Sequence, residues 1–221
     1  MSEGARMKRD KYLVPYKIFT AIGRPIFWLK FRPLVINKEN IPKSGSVIFC
    51  ANHRHHLDPF CAIYSTKRII HYTAKKELMD GTDALVDKPN SLVRKLNAWM
   101  LKCAGTISIN RDGDTSDAMD CVAEYLINGS AIGLFPEGTR NKTANEYELQ
   151  PFKFGAVSLA KKTGADILPF AITGKYKKGK GLTIRFGEPF KVGNRELEDA
   201  NNDLRERILA LIQESRQGAA N

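Results

Sequence analysis

The chain is organised around residues 47–63, VIFCANHRHHLDPFCAI, in which a polar turn joins two apolar runs. The first run is short and continuously apolar, which is typical of a buried strand. The second begins at Pro59 directly after Asp58, a combination that commonly starts a helix. The turn between them, Asn52–Asp58, contains three of the four histidines in the protein. Because α/β proteins carry active-site residues on such turns, we expect any catalytic chemistry to centre here.

Strand-like and helix-like segments alternate along the rest of the chain. Short apolar runs predict strands at residues 46–51, 69–74, 107–109, 131–135 and 166–172. Amphipathic runs predict helices at residues 59–66, 91–103, 116–127, 154–163 and 195–217. A further, antiparallel strand is expected near residues 182–186. The alternation predicts a single α/β domain over residues 36–221, with a mixed, largely parallel sheet flanked by helices.

The net charge points to an anionic partner. The chain has 35 lysine and arginine residues against 24 aspartate and glutamate residues, which leaves a net charge of +11. Nucleic acid, a phospholipid surface and a phosphorylated substrate all fit this sign. The sequence has no RNP-like aromatic block, KH-type loop or zinc finger, so we expect no nucleic-acid partner. Its four widely spaced cysteines indicate free thiols in a reducing compartment.

Residues 1–35 combine basic and aromatic side chains. Eight basic residues minus two acidic residues give this segment a charge of +6. Its apolar residues recur near helical spacing, and Gly23-Arg24-Pro25 predicts a break into two short helices. No stretch approaches the roughly 20 apolar residues that a spanning helix needs. The pattern predicts an amphipathic helical segment that anchors the protein to a membrane surface, with a helix packed on the domain as the alternative.

His53 and Asp58 are the residues that suit acid-base catalysis. An imidazole with a pKa near 6.5 takes up a proton at neutral pH, and a carboxylate bonded to its other nitrogen fixes the tautomer and stabilises the cation. The alternatives are a packing role for His53 and a helix N-cap for Asp58. His55 and His56 would add ligands for a metal ion, but the only other histidine is His71 and no Cys/His cluster follows. The sequence therefore predicts no metal site.

Four sequence blocks occur in the same order as in a known enzyme family. They are Asn52-His53 with Asp58, which matches N-H-x-x-x-x-D, and the segments at residues 105–111 (GTISINR), 135–140 (FPEGTR) and 167–170 (ILPF). The sequence resembles the glycerolipid acyltransferases, and within them the 1-acylglycerol-3-phosphate (lysophosphatidate) acyltransferases. The blocks span a little over half of the chain. Their ordered combination is far more specific than any single block.

The resemblance implies a direct acyl transfer. His53 would be the general base that removes the proton from the acceptor hydroxyl, and Asp58 would orient the imidazole. The co-substrate would be an acyl thioester of CoA or acyl carrier protein, and no cofactor is implied. Backbone amides near the histidine turn are candidates for stabilising the tetrahedral intermediate.

The resemblance also implies how the acceptor binds. Glu137 and Gly138 would shape its site, the glycine by close backbone approach and the carboxylate by bonding to the acceptor or to neighbouring loops. Arg140 and Arg111 would hold its phosphate, with Lys75 as a third contact, because the arginine fork matches phosphate oxygens. The acceptor would be lysophosphatidic acid and the product phosphatidic acid, made for phospholipid synthesis.

Other features qualify this interpretation. At His55 the family often has serine, so the resemblance implies no role for this residue. Residues 174–195 form a second basic cluster, in which seven basic residues minus one acidic residue give +6, and the alternative for them is a solvated turn. Both basic segments suit an anionic phospholipid membrane, and we expect a peripheral enzyme on its cytoplasmic face without a transmembrane helix. Another lysophospholipid as acceptor, and a non-catalytic basic module that binds membrane or RNA, remain open alternatives.

Overall fold

A mixed sheet forms the centre of the protein. The computed structural model describes residues 3–75, 91–109, 115–143, 145, 147–177 and 181–220. Its strands are β1 (Leu34–Ile36), β2 (Val47–Ala51), β3 (Ile70–Lys75), β4 (Ile107–Ile109), β5 (Ala131–Leu134), β6 (Asp166–Thr173) and β7 (Thr183–Phe186). The strand order is β1-β7-β6-β2-β5-β3-β4, and all neighbours are parallel except β6 and β7. The predicted α/β fold with a mixed, largely parallel sheet is confirmed.

Helices connect and cover the strands. They are α1 (Glu3–Phe31), α2 (Asp58–Ser65), α3 (Ser91–Cys103), α4 (Thr115–Ile127), α5 (Gly155–Thr163) and α6 (Leu197–Ala220), with a short 3-10 helix at Lys38–Asn40. The predicted helices agree with these bounds to within three residues, and the predicted strands to within one. The edge strand β1 was not predicted, because three residues that pair only with distant β7 leave little local pattern.

The sheet is buried on both faces, and this explains the continuous apolar run of β2. Ile48 and Cys50 belong to the cluster that the sheet forms with α4, α5 and α6. Val47, Phe49 and Ala51 belong to the cluster that it forms with α1 and α2. Because successive side chains alternate between the two faces of a strand, a strand covered on both faces needs an apolar residue at every position. The histidine turn therefore starts at the end of a fully buried strand.

Residues 3–31 form one helix, so the predicted break into two short helices at Gly23-Arg24-Pro25 is wrong. Gly23 lies against Tyr64 of α2 so closely that a Cβ atom at this position would be 2.1 Å from the tyrosine oxygen. Phe27, one half-turn beyond the proline, is buried against the domain. This packing outweighs the helical hydrogen bond that Pro25 removes. Among the described residues, no helix has both the length and the apolar composition needed to cross a membrane.

Candidate active site

The histidine turn begins where β2 leaves the sheet. Asn52 is buried there, and its side-chain amide donates to the Ile172 carbonyl at 2.8 Å while its side-chain oxygen accepts from the Ile172 N–H at 2.9 Å. The side chain thus imitates a strand backbone and extends the pairing of β2 with β6 by one position. This fixes the start of the turn at the carboxyl edge of the parallel strands, where open α/β sheets place their sites.

His53 and Asp58 form a bonded pair at this edge. His53 Nδ1 lies 2.9 Å from Asp58 Oδ2, and the same oxygen accepts the backbone N–H groups of Arg54 and His55 at 2.7 Å each. Asp58 lies in the first turn of α2 after Leu57, the N-cap position, so the alternative of a simple N-cap is wrong. Because a carboxylate only accepts hydrogen bonds, the Nδ1 atom carries the hydrogen and Nε2 is left to accept a proton.

An aromatic stack holds the plane of the His53 ring. The ring of Phe135 lies parallel to the imidazole, with a centroid distance of 4.1 Å and an interplanar angle of 14°. Tyr72 of β3 stacks on Phe135 in turn, at 5.4 Å and 20°. The stacking on Phe135 and the bond to Asp58 together restrict the imidazole to one orientation. The His53 side chain remains 18% exposed, so a substrate can reach it.

The turn at residues 135–140 is bonded to the histidine turn through Glu137. Its Oε1 atom accepts the His53 N–H at 2.8 Å, and its Oε2 atom accepts Asn141 Nδ2 and the Gln150 N–H at 3.0 Å each. The Asn141 N–H also donates to the His53 carbonyl at 2.6 Å. Glu137 is buried, and of the two roles considered for its carboxylate the structure has the bonds to neighbouring loops.

Gly138 is partly buried in this turn, and Arg140 is exposed. Gly138 has a φ of +72°, and a Cβ atom there would come within 2.8 Å of the Lys153 side chain. The positive charge of Arg140 acts on His55 and His56 in the histidine turn. The pKa of His55 is lowered mainly by burial and further by His56, Arg140 and His53, against the opposing effect of Asp58. Burial and the charge of Arg140 therefore favour the neutral form of the His55 imidazole.

The sequence comparison agrees with this arrangement of turns. A family model described as Acyltransferase matches residues 32–173, a span that contains His53, Asp58 and the turn at residues 135–140. The chain belongs to this acyltransferase family.

Individual relatives in the acyltransferase family point the same way. The chain is 32% identical over 148 residues to 1-acyl-sn-glycerol-3-phosphate acyltransferase of Borreliella burgdorferi, covering 66% of this chain and 53%, about half, of that relative. It is 26% identical over 205 residues to the protein of the same name from Bacillus subtilis, covering 90% of this chain and 92% of that one. The crystal structure of the 1-acyl-sn-glycerophosphate (LPA) acyltransferase PlsC from Thermotoga maritima is similar with a TM-score of 0.66 at 22% identity, covering 98% and 84% of the two chains. At 22% identity this similarity shows that the two chains share a fold.

Two residues that the resemblance to the acyltransferases implied for phosphate binding are not placed by the structure. Lys75 ends β3, where its backbone pairs with Ile109 of β4, but the position of its side chain lies outside the description. Arg111 follows two residues after Ile109 and lies outside the described residues. The backbone of β3 ends with Lys75 at the carboxyl edge of the sheet. The contact of both residues with phosphate stays a prediction.

His55, His56 and His71 make contacts with other residues of the protein. Among the described residues, no group of three or more histidine, cysteine, aspartate or glutamate side chains is arranged to hold a metal ion. The rings of His55 and His56 lie next to each other, with a centroid distance of 4.1 Å and an interplanar angle of 35°. His71 is buried in β3, with Nδ1 2.7 Å from the Gly105 carbonyl oxygen.

Sequence reasoning missed two aromatic residues of this site in the acyltransferase. Phe135 belongs to the block at residues 135–140, but its stacking on His53 was not predicted. Tyr176 lies within the basic cluster at residues 174–195, where no role was predicted for it. Its hydroxyl donates to Asp58 Oδ1 at 2.6 Å. The available signal was a single aromatic ring among lysines directly after a buried strand. That pattern does not reveal which distant residue the ring contacts.

Proposed function

We propose that this protein transfers a fatty acyl group from an acyl thioester, carried by CoA or acyl carrier protein, to the sn-2 hydroxyl of 1-acylglycerol-3-phosphate. The product is phosphatidic acid. The observation that supports this most directly is the His53 and Asp58 pair, bonded to the turn at residues 135–140 in a member of the acyltransferase family. The names of the two relatives supply the acceptor.

The proposed reaction passes through His53. Its Nε2 atom takes the proton from the acceptor hydroxyl while the oxygen forms a bond to the thioester carbonyl carbon. Asp58 stabilises the resulting imidazolium through Nδ1. The tetrahedral intermediate then breaks its carbon–sulfur bond, and the imidazolium returns the proton to the departing thiolate. No covalent acyl-enzyme forms, and the His53 and Asp58 pair ends in its starting protonation state.

The oxyanion of the intermediate needs donors that are not already bonded. The backbone N–H groups of His53, Arg54 and His55 are bonded to the carboxylates of Glu137 and Asp58. These three amides of the histidine turn therefore do not serve as the oxyanion donors, which corrects the expectation for this part of the turn. Their role is to hold the two carboxylates, and through them the imidazole.

Arg140 is the described residue that best fits the acceptor phosphate. It is exposed on the turn that Glu137 fastens to His53, and its charge acts on both His55 and His56. A guanidinium fork binds phosphate oxygens with two parallel hydrogen bonds, which also orients the rest of the acceptor. With Arg111 and Lys75 as further contacts, the phosphate would be held to one side of His53 and the free hydroxyl directed to its Nε2 atom.

The outer face of α1 supports binding to an anionic membrane. A row of aliphatic side chains follows this face at helical spacing, each between 55% and 73% exposed: Val14, Ile18, Ile22, Ile26 and Leu29. Exposed Lys17 and Lys30 flank the row. Trp99 of α3, a helix that packs against α1, is 59% exposed. Aliphatic and tryptophan side chains next to lysines suit the boundary between acyl chains and anionic head groups.

The same helix is also part of the domain. The opposite face of α1 buries Tyr16, Phe27 and Phe31 in the cluster shared with α2 and the sheet. The two interpretations of the N-terminal segment are therefore compatible, because one face packs and the other is free for lipid. We place the protein on the cytoplasmic face of a membrane as a peripheral enzyme.

Acyl transfer by the purified protein tests this function. Wild-type protein should acylate lysophosphatidate with acyl-CoA or acyl carrier protein thioesters, and His53→Ala should lower kcat by about 10²- to 10⁴-fold. His56→Ala is the matched control, and it should affect kcat far less because His56 does not bond to Asp58. A panel of other lysophospholipids identifies the acceptor. Full activity in the His53→Ala protein would overturn the mechanism, and preference for another lysophospholipid would overturn the proposed acceptor.

A further inference from the structure

Tyr176 reaches the catalytic carboxylate from the far side of the site. It follows β6 in the chain, and its hydroxyl donates to Asp58 Oδ1 at 2.6 Å. The other carboxylate oxygen, Oδ2, takes its three contacts from His53 Nδ1 and the amides of Arg54 and His55. All of those belong to the histidine turn, whereas Tyr176 is 118 residues away from Asp58 in the chain. The tyrosine thus ties the catalytic pair to a separate part of the fold.

The ring of Tyr176 is itself held in place. His55 stacks on it with a centroid distance of 4.3 Å and an interplanar angle of 20°. Phe31, the last residue of α1, meets it edge to face at 5.6 Å and 89°. The hydroxyl also lies 3.1 Å from Cys61 Sγ. His55 therefore helps to hold the Tyr176 ring.

Tyr176 remains a hydrogen-bond donor throughout the working pH range. Burial raises the pKa of its hydroxyl far above the ordinary tyrosine value, and the neighbouring Cys61 and Asp58 raise it further. Burial likewise raises the pKa of the Cys61 thiol. Both groups are neutral at any pH at which the enzyme works.

From this geometry we infer that Tyr176 is a positioning residue for the reaction proposed above: it holds Asp58 Oδ1 so that Oδ2 faces His53, and it draws negative charge away from Oδ2. Both effects act on His53 through Asp58. The inference rests on the proposed function, because it assigns a role within the same acyl transfer.

Removing the hydroxyl should change the pH dependence of the reaction in a defined direction. In Tyr176→Phe the carboxylate keeps the charge that the tyrosine had drawn away, so it stabilises the His53 imidazolium more strongly. The base then loses its proton only at higher pH. Activity rises as the base becomes neutral, so the acid limb of the kcat profile should move to higher pH by about 0.5 unit. The released carboxylate also rotates more freely, and kcat on the plateau should fall by about tenfold.

Other charged or titratable groups near the pair must stay unchanged for this shift to be assigned to Tyr176. Those that face the pair from the turns, α2 and the sheet are Arg54, His55, His56, Cys61, Tyr72, Glu137 and Arg140. The phenylalanine substitution leaves these side chains in place and removes only the contact of the hydroxyl with Cys61, whose buried thiol stays neutral. Tyr64→Phe is the matched control, since it removes a tyrosine hydroxyl from α2 on the side that faces α1.

The experiment measures kcat against pH for wild type, Tyr176→Phe and Tyr64→Phe, with lysophosphatidate and acyl-CoA at saturation and thermal unfolding as the check on folding. A lower plateau with an upward shift of the acid limb in Tyr176→Phe alone supports the inference. An unchanged profile, or a lower plateau without a shift, overturns it, because a purely structural loss would not move the limb.

If Tyr176→Phe does not fold, 3-fluorotyrosine at this position keeps the ring and strengthens the donor, so the limb must instead move to lower pH. A wild-type protein without acyl transfer refutes the proposed function, whereas an active wild type with an unaltered Tyr176→Phe profile refutes only the role of Tyr176.

Discussion

Replacing Asp58 with asparagine measures how much the reaction depends on the charge of one buried carboxylate. The side chain is 1% exposed, and it accepts hydrogen bonds from His53 Nδ1, from the amides of Arg54 and His55, and from the Tyr176 hydroxyl. Asparagine has nearly the same shape and keeps one acceptor oxygen. The turn should therefore retain its conformation, and the negative charge is the property that is lost.

The size of the effect follows from the distance between the two groups. Nδ1 and Oδ2 are 2.9 Å apart, so the centres of the imidazolium and carboxylate charges are separated by about 4 Å. At an effective dielectric constant of about 20 their attraction is about 4 kcal/mol. At about 1.4 kcal/mol per tenfold, this corresponds to a fall in kcat of about 10³-fold. The two amide bonds lose their charged acceptor at about 1 kcal/mol each, so the free energy of unfolding should fall by about 2 kcal/mol.

The assay compares kcat for wild type and Asp58→Asn at a pH of about 8, where an ordinary imidazole is neutral. Thermal unfolding shows whether the variant has folded. The control is Asp120→Asn, which removes an exposed carboxylate paired with Lys162 at 2.6 Å and should leave kcat unchanged. A folded Asp58→Asn protein with kcat within fivefold of wild type would refute the reasoning, since the imidazolium would then not need the charge beside it.

Arg140, the outer face of α1 and His71 each provide a further test. Arg140→Ala should raise the KM for lysophosphatidate by about tenfold but not the KM for the acyl donor, with the nearby exposed Lys142→Ala as control; equal effects on both substrates would contradict a phosphate contact. Ile18→Glu with Ile22→Glu should abolish sedimentation with anionic vesicles without loss of folding, because both side chains are exposed; unchanged sedimentation would rule out this face as the lipid contact. Burial lowers the pKa of His71, so the unfolded chain takes up its proton first as the pH falls; the free energy of unfolding should drop by up to about 1.4 kcal/mol per pH unit below about pH 6.5, and His71→Asn should reduce that slope. An identical slope in the variant would show that His71 does not cause it.

The membrane test uses point substitutions because deletion of residues 1–35 has a second consequence. That deletion would remove Tyr16, Phe27 and Phe31 from the core and Leu34 from β1. Loss of vesicle binding could then follow from unfolding. Substitutions on the exposed row change only the exposed surface of α1 and leave the packed face of the helix intact.

Local sequence patterns predicted most of the elements because those patterns reflect burial. β2 is apolar at every position since helices cover both faces of the sheet, and its predicted limits differ from the observed ones by one residue. The bond between His53 and Asp58 was also predicted, since the four residues between them can form a turn that brings both side chains together. The break at Pro25 was predicted wrongly because the cost of a proline is local, whereas the contacts that offset it come from α2.

Contacts between distant parts of the chain account for what the sequence left open. By itself the sequence determined the alternation of strands and helices and the position of the histidine turn, because both depend on neighbouring positions. Only the tertiary structure decided that Glu137 bonds to His53 across 84 residues and that Tyr176 bonds to Asp58 across 118. The physical reason is that the sheet order brings the ends of β2, β5 and β6 together, and no local pattern encodes which strands become neighbours.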